Sequence, residues 1–277
     1  MITSLADPRL TLARQAVGAV RVVADPGLPP HLVRLVDVRE ASYVAKQHHR
    51  QDRYTQELHA YSSWGRHLSG YAAQLVAHDD STDTLLFTAL EGANACTARL
   101  SPAERERMYE AAGLVLGRLH RATAEGPAPS SELATRLLGW IATAEQGGLI
   151  SADERRILQS HGDVLAGTVM DRAVCHLDYQ PRNWLVDAEQ FRVCDFEHMR
   201  RDARVRDFAR LEFRHWQSEP RLREAFFTGY GTQMTDAERQ LLVSFGAIEA
   251  VTAIVRGHER NATALSAHGR AVLARLA

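Results

Sequence analysis

The sequence predicts an α+β chain in two parts, a strand-rich first part and a mainly helical second part. Short β-branched runs separated by turn residues dominate the first ninety residues. Apolar residues at three- and four-residue spacing, with helix-start signals, dominate the rest. A chain of 277 residues with 45% hydrophobic composition is long enough for one large domain or two lobes.

Three runs at the start predict an antiparallel meander, namely Ala16–Val23, Leu32–Val38 and Ser42–Gln47. The segments between them are the loop 24–31, which holds three prolines and one glycine, and the dipeptide Arg39-Glu40. The sequence therefore predicts three neighbouring strands.

From Asp52 the period changes to that of a helix of about four turns. Gly70 is expected to end this helix, and its apolar stripe comprises Tyr54, Leu58, Tyr61, Trp64 and Leu68. Two further runs, Gln74–Ala77 and Thr84–Ala89, flank the polar cluster 79–83 and predict a hairpin. The first ninety residues are thus expected to hold five strands and one helix.

Helix signals follow in the second part. Three N-cap residues, Ser101, Ser151 and Thr235, each precede a glutamate three positions later, the pattern of a capping box. The first of these helices is expected to run to about Ala122, and the segment 124–131 is expected to be a loop. One strand-rich island, 172–195, interrupts the helices.

The island carries residues suited to chemistry. A hairpin is predicted from residues 184–187 and 191–195 around the turn Ala188-Glu189-Gln190, with residue 184 opposite residue 195 or nearly so. This pairing brings Asn183 and Asp195 to one mouth, with Glu197 two residues further on. Amide and carboxylate oxygens suit Mg²⁺ shared with substrate phosphates. Asp178 precedes the hairpin on an irregular segment, where it is free to accept a proton.

Each of these residues also has an ordinary structural explanation, such as a turn or a strand end. The spacing His176-x-Asp178-x₄-Asn183, followed by Asp195-x-Glu197, favours the functional interpretation of the set.

Only Lys46 among the 33 basic residues is a lysine. Chance survival under a codon bias towards arginine is one explanation. The other is that position 46 needs a compact ammonium, which the planar guanidinium of arginine does not replace.

The composition and the chain start indicate which partners and which cellular location to expect. The formal net charge is −1, so neither nucleic acid nor an anionic membrane surface is expected as the main partner. The start of the chain has no targeting pattern, and no uncharged apolar stretch approaches the ~20 residues of a membrane span, so a cytoplasmic location is expected. Cys96, Cys175 and Cys194 lack metal-site spacing and are expected to be reduced and mostly buried.

On these motifs the sequence resembles the aminoglycoside phosphotransferase and choline kinase superfamily, relatives of the protein kinases. The resemblance covers most of the chain in order. In the N-terminal part it rests on Lys46 on the third strand, Glu57 in the next helix and the connector Leu85–Gly92. In the C-terminal part it rests on the helix end Gly117–His120, the loop with His176, Asp178 and Asn183, the triplet Asp195-Phe196-Glu197, and Asp207.

The resemblance implies a protein-kinase-like two-lobed fold with a small antiparallel-sheet N-lobe and a large, mainly helical C-lobe. The expected domains are a nucleotide-binding N-lobe at 1–89, a hinge at 90–95 and a C-lobe at 96–277 with the catalytic loop, metal site and acceptor-binding helices. The implied activity is Mg²⁺-dependent transfer of the γ-phosphoryl group of ATP, or of GTP, to a hydroxyl group of a small molecule.

It also implies a role for each site residue. Asp178 would be the catalytic base, braced by His176 and by Asp207. Lys46, held by Glu57, would contact the α- and β-phosphates. Backbone groups around Thr88 and Leu90 would hold the adenine. The metal ligands would be Asn183 and Asp195, with Glu197 as a ligand to a second metal.

Two departures bear on the subfamily. The loop 24–31 is poor in the glycines that usually cover the triphosphate. The triplet Asp195-Phe196-Glu197, with Cys175, His176 and Gln180, looks more like choline kinases than like antibiotic kinases.

The sequence leaves the acceptor open. Carboxylates that would suit a polycationic antibiotic, or equally a solvated helix face, are Glu212, Glu249 and Glu259, with His258 beside them. Aromatic residues that would cage a quaternary ammonium, or equally form core, are Phe213, Trp216 and Tyr230. An arginine run, expected to be solvated or paired with acids, comprises Arg200, Arg201, Arg204, Arg206 and Arg210.

An antibiotic or related natural product is the leading acceptor class, in a resistance or self-protection role. A choline, ethanolamine or other metabolite kinase is the alternative, and a non-catalytic binding module of the same fold is the third. The sequence does not decide between a monomer and a homodimer.

Overall fold

The computed structural model describes residues 7–25, 27–129, 131–187 and 190–276. The chain divides into two compact units, here called the sheet unit (Met1–Leu100 with Gln180–Arg200) and the helical unit (Ser101–Tyr179 with Arg201–Ala277). The predicted α+β class is confirmed. The domain boundaries 1–89, 90–95 and 96–277 stay a prediction, and the compact units differ from them in grouping residues 180–200 with the N-terminal sheet.

The sheet unit contains the predicted five-stranded antiparallel sheet. Its order is β1-β2-β3-β5-β4. The strands are β1 (Val20–Val23), β2 (Leu32–Asp37), β3 (Ser42–Gln47), β4 (Leu75–Asp79) and β5 (Thr84–Thr88). Lys46 on β3 pairs with Leu32 on one side and with Leu85 on the other, so its backbone lies inside the sheet.

A helix that the sequence analysis missed precedes β1. Helix α1 (Pro8–Val17) takes the first two residues of the predicted strand Ala16–Val23. Asp7 caps it by accepting a hydrogen bond from the Arg9 amide at 2.9 Å, and Pro8 occupies the first turn. Leu12 and Ala13 pack against the sheet, which stabilises the helix by burial. The expectation of one helix in this region is therefore wrong.

Helix α2 (Gln51–Trp64) continues into a 3₁₀ turn (Gly65–Leu68), and Gly70 follows with a φ of 85°. Of the predicted stripe, Tyr54, Tyr61 and Leu68 are buried, whereas Leu58 and Trp64 are half-buried. Glu57 is 1% exposed on the same face. A carboxylate so deeply buried requires partners, which are described below.

The predicted hairpin is present as β9 (Trp184–Val186) and β10 (Phe191–Val193). Its register pairs Trp184 with Val193, so the expected opposition of residues 184 and 195 is wrong by two positions. Within the described residues, a short strand β6 (Ala93–Asn94) completes this sheet in the order β10-β9-β6, and it was not predicted. Ala188 and Glu189 of the predicted turn, like Pro26 of the loop 24–31, lie outside the described residues.

The helical unit confirms all three capping boxes, at Ser101, Ser151 and Thr235. Its helices are α3 (Pro102–Ala122), α4 (Ser131–Gln146), α5 (Ala152–Gly167), α6 (Arg206–Leu211), α7 (Pro220–Tyr230), α8 (Asp236–Glu259) and α9 (Thr263–Ala274), with a π-helical turn (Glu212–Trp216) after α6. Helices α3 and α7 meet at glycines: a Cβ on Gly113 would lie 1.9 Å from the Phe226 carbonyl oxygen, and one on Gly229 would lie 1.8 Å from that of Glu110.

The expected loop 124–131 contains a strand instead. Strand β7 (Glu125–Pro129) pairs with β8 (Val169–Cys175), and β11 (Arg200–Ala203) lies on the other side of β8. The prolines of β7 hid it from a propensity argument, and they are tolerated because β7 is an edge strand. Ser130 lies outside the described residues, and the strand-rich island begins at Val169 rather than at residue 172.

Among the described residues, α8 alone is long and apolar enough to cross a membrane, and 72% of its apolar window is buried inside the protein, as in a core helix. All three cysteines are free. Cys175 is buried and Cys194 is half-buried, but Cys96 is exposed, contrary to the expectation of mostly buried thiols.

Candidate active site

In the sheet unit, Lys46 is surrounded by carboxylates. Its side chain is 8% exposed, and Nζ lies 2.7 Å from Glu57 Oε2, 2.8 Å from Asp195 Oδ1 and 3.6 Å from Glu197 Oε2. Burial lowers the pKa of Lys46, but Glu57 and Asp195 outweigh burial and raise the pKa above its ordinary value. Lys46 is therefore a fixed positive charge at neutral pH.

Glu57 joins three parts of the sheet unit. Besides Lys46, its Oε2 lies 2.9 Å from His48 Nε2, and its Oε1 accepts a hydrogen bond from the Phe196 amide at 3.0 Å. Burial raises the pKa of Glu57, yet Lys46 and His48 lower it further than burial raises it. The ionised carboxylate thus ties β3 to the segment Asp195-Phe196-Glu197.

His48 was missed by the sequence analysis. It lies two residues after Lys46, and side chains two apart in an extended segment share one face. That alternation was the signal that would have identified it.

The metal candidates occupy the end of the hairpin. Asn183 ends a 3₁₀ turn (Pro181–Asn183), and its carbonyl accepts from the Cys194 amide at 3.0 Å, which brings the two strand ends together despite the corrected register. Asp195 follows with a φ of 67°, in the left-handed region.

The charges in this cluster suit a cation. Burial, and then Asp195, raise the pKa of Glu197. Three carboxylates, those of Glu57, Asp195 and Glu197, surround the single ammonium of Lys46. The excess of negative charge and the hard oxygen donors fit Mg²⁺.

In the helical unit, Asp207 on α6 holds the loop that carries His176 and Asp178. Its Oδ2 accepts from the His176 amide at 2.8 Å, and its Oδ1 accepts from the Leu177 amide at 2.5 Å. His120 Nε2 lies 3.0 Å from Oδ2. Leu177 has a φ of 63°, so these bonds fix a turn that an L-residue rarely adopts.

His176 and Asp178 are both buried. The Asp178 amide donates to His176 Nδ1 at 3.3 Å, and the imidazole packs edge-on against Tyr179. The Asp178 side chain has no exposed surface, and its Oδ1 lies 2.9 Å from Arg210 Nη1. The sequence analysis did not assign Arg210 to the site, because no local pattern connects positions 178 and 210.

Thr88 and Leu90 lie at and just beyond the end of β5. The Thr88 amide donates to the Gln74 carbonyl at 3.0 Å, and its hydroxyl accepts from the Gln74 amide at 2.9 Å. The amide and the hydroxyl of Thr88 thus form hydrogen bonds within the sheet. That backbone groups around Thr88 and Leu90 hold the adenine stays a prediction.

Core packing, ion pairs or solvent exposure explains the positions of the residues that were considered for acceptor binding. Phe213, Trp216 and Tyr230 are buried, and Trp216 and Tyr230 stack among Phe208, Phe226 and Phe227. Glu249 is paired with arginine, Glu212 Oε2 lies 3.7 Å from Arg223 Nε, and His258 and Glu259 are exposed at the end of α8.

Most members of the arginine run are paired with acids, which is one of the two arrangements expected from the sequence. The pairs are Arg201 with Glu125, Arg204 with Glu238, Arg206 with Asp202 and Arg210 with Asp178.

The predicted site residues thus form two groups. The sheet unit brings together Lys46, Glu57, Asp195 and Glu197, with Asn183 at the neighbouring strand end. The helical unit brings together His176, Asp178 and Asp207. Four residues of chain separate Asp178 from Asn183.

Solved structures share this architecture. A choline/ethanolamine kinase family protein from Mesorhizobium loti matches with a TM-score of 0.67 and 18% identity, over 97% of this chain and 92% of that one. The gentamicin–APH(2")-IIa complex matches with a TM-score of 0.66 and 15% identity, over 99% and 97%. The macrolide 2'-phosphotransferase MphH from Brachybacterium faecium matches with a TM-score of 0.59 and 13% identity, over 95% and 96%.

At these identities the structural likeness establishes the fold, which is that of the kinase-like proteins, as predicted. The sequence itself matches the phosphotransferase enzyme family over residues 30–241. The chain belongs to this family, and the predicted enzyme class, a phosphotransferase, is confirmed. No curated protein matches the chain.

Proposed function

We propose that this enzyme transfers the γ-phosphoryl group of ATP, or of GTP, to a hydroxyl group of a small molecule in an Mg²⁺-dependent reaction. The observation that carries the proposal is the contact of Lys46 with both Glu57 and Asp195. Phosphoryl transfer asks the protein mainly to position the phosphates and to neutralise their charge. A buried ammonium beside oxygen ligands is suited to both tasks.

Residues of the sheet unit would hold the nucleotide and the metal. Lys46 would contact the α- and β-phosphates and keep its place through Glu57. Asn183 and Asp195 would bind Mg²⁺, with Glu197 as a ligand to a second ion. Bound there, Mg²⁺ would supply positive charge that offsets the negative charge developing on the phosphate groups.

Asp178 would act on the acceptor. A bond forms between the acceptor oxygen and the γ-phosphorus, the bond from that phosphorus to the bridging oxygen of the nucleotide breaks, and the proton of the hydroxyl moves to an Asp178 carboxylate oxygen. His176 and Asp207 would keep the loop in place. ADP or GDP leaves as the second product.

The acceptor class is proposed as an antibiotic or related natural product. The similar solved structures include a gentamicin complex, a macrolide 2'-phosphotransferase and a choline/ethanolamine kinase family protein, and this supports a small hydroxylated acceptor. The presence of Lys46, Asp178, Asn183 and Asp195 argues against a non-catalytic module. The burial of Phe213, Trp216 and Tyr230 in the core argues against their use as an aromatic cage for choline.

The test is a phosphate-transfer assay with purified protein, Mg²⁺, ATP or GTP, and a panel of aminoglycosides, macrolides, nucleoside and peptide antibiotics and choline. Mass spectrometry detects the phosphate adduct. Asp178→Asn should lower turnover by about 10²–10⁴-fold while Mg·ATP still binds. Asp163→Asn, at an exposed position of α5, is the matched control. Unchanged turnover in Asp178→Asn would remove the proposed base, and nucleotide binding without transfer to any acceptor would favour the binding module.

A further inference from the structure

Two ion pairs lie one turn apart on the segment that leads out of α6. Arg210 Nη1 lies 2.9 Å from Asp178 Oδ1. Arg214, four residues later, reaches Glu249 on α8 with Nη2 at 2.6 Å and Nε at 2.7 Å.

In both ion pairs the acid is buried and the base is more exposed. The side chains of Asp178 and Glu249 are 0% and 10% exposed, whereas those of Arg210 and Arg214 are 23% and 26% exposed. In each pair the arginine therefore contributes most of the solvent-exposed surface.

The two pairs form one electrostatic cluster. Burial raises the pKa of Glu249, but a hydrogen bond from His268 and the charges of Arg214 and Arg210 together lower it to about 2. Arg210 thus acts on Glu249 as well as on Asp178. Neither carboxylate offers an unneutralised negative charge to a ligand.

This arrangement bears on the acceptor. A hydroxyl group that gives its proton to Asp178 must reach a carboxylate with no exposed surface, and the more exposed member of that pair is the half-buried Arg210. Groups beside the hydroxyl would then meet a guanidinium. Placing a cation there costs free energy through like-charge contact, whereas a carboxylate or phosphate gains paired hydrogen bonds.

We propose that Arg210 is a specificity-determining residue that selects acceptors with an anionic group, a carboxylate or a phosphate ester, close to the reacting hydroxyl. The proposal rests on the proposed phosphotransferase function. Under this proposal, polycationic aminoglycosides and choline are not preferred acceptors. The chain nevertheless shares its fold with a gentamicin complex and with a choline/ethanolamine kinase family protein.

The test compares acceptors that differ in charge. Glycerate and glycerol form one matched pair, and pantothenate and panthenol form another, with kanamycin and choline as cationic probes. Acceptor-dependent ADP release is measured with Mg·ATP. We expect the anionic member of at least one pair to exceed its neutral partner in kcat/KM by about tenfold or more, and the cationic probes to give no release above water.

Variants then assign the preference to Arg210. Arg210→Glu and Arg210→Gln should abolish the advantage of the anionic acceptor, and Arg210→Lys should restore part of it. The Kd of Mg·ATP, read by calorimetry, should stay the same in all three, which also shows that each variant is folded. Arg221→Glu, the same charge change at an exposed position of α7, is the control and should keep the preference.

Three results would overturn the proposal: release stimulated by kanamycin or choline, an anionic preference that persists in Arg210→Gln, or bound and hydrolysed Mg·ATP with no stimulation by any anionic acceptor. A protein that fails to bind Mg·ATP at all would instead overturn the proposed function.

Discussion

Glu57 and Phe196 are joined by a hydrogen bond from the Phe196 amide to a carboxylate that is almost completely buried. The same carboxylate lies 2.7 Å from Lys46 Nζ. The position of the proposed phosphate-binding lysine and that of the segment bearing Asp195 therefore depend on one side chain of α2.

Two substitutions at Glu57 separate its charge from its hydrogen bond. Glu57→Gln keeps an oxygen that accepts from the Phe196 amide but loses the charge that faces Lys46. Glu57→Ala loses both, so it should lower the free energy of unfolding by about 1–3 kcal/mol more than Glu57→Gln does. Urea denaturation measures the difference. Equal losses in the two variants would show that the bond to Phe196 contributes nothing to stability.

Asp207→Asn tests how the catalytic loop is held. Asparagine has one acceptor oxygen, so one of the two backbone amides at His176 and Leu177 would lose its partner. We expect a loss of about 1–3 kcal/mol in the free energy of unfolding and a lower kcat with the KM for ATP unchanged. Asp163→Asn should alter neither. A change confined to the KM for ATP would contradict a role in the loop.

Alanine should have opposite effects at two glycines, Gly229 at the contact between α3 and α7 and Gly139 within α4. In Gly229→Ala the new methyl group meets the backbone of Glu110, so the helices must separate, at a cost of about 1–3 kcal/mol. In Gly139→Ala, within α4, no heavy atom lies within 4 Å of the new Cβ, and alanine should stabilise the helix by about 0.5–1 kcal/mol. Thermal unfolding of both variants checks the signs, and destabilisation of both would contradict the argument.

Stability should depend on pH through Glu249. Its pKa is lowered to about 2 from an ordinary value of 4.5. Because the folded state lowers this pKa, the stabilisation is fully present above pH 4.5 and is lost as the pH falls towards 2. Glu249→Gln should therefore cost on the order of 2–3 kcal/mol at pH 6, and this cost should shrink steadily below pH 4.5.

Urea denaturation at several pH values measures this dependence. Glu259→Gln, at an exposed position on the same helix, is the control and should behave as the wild type does. A cost of Glu249→Gln that stays constant from pH 6 to pH 3 would show that the ionised carboxylate is not the source.

Local signals accounted for much of the fold. Each capping box at Ser101, Ser151 and Thr235 needs only four consecutive residues, and each is present. The meander strands and the hairpin near residue 190 alternate apolar residues within a few positions, and they formed with small errors at their ends. Helix α1 was missed although Asp7 and Pro8 form a start signal, because its apolar stripe is short and the β-branched residues after it dominated the interpretation.

No local sequence signal predicts strands β6 and β7. Two residues at Ala93–Asn94, and a run with two prolines at Glu125–Pro129, have no strand propensity of their own. They pair because β9 and β8 offer them a partner edge, which depends on residues some 40 to 90 positions away.

The same division holds for the candidate site. The sequence by itself determined the residue types and their spacing: the lone Lys46, the loop with His176, Asp178 and Asn183, and Asp195 with Glu197. Only the tertiary structure decided that His48 shares Glu57 with Lys46 and that Arg210 forms an ion pair with Asp178. The physical reason is that hydrogen bonds and ion pairs depend on distances of about 3 Å, and such distances between residues far apart in the chain are set by packing, not by spacing.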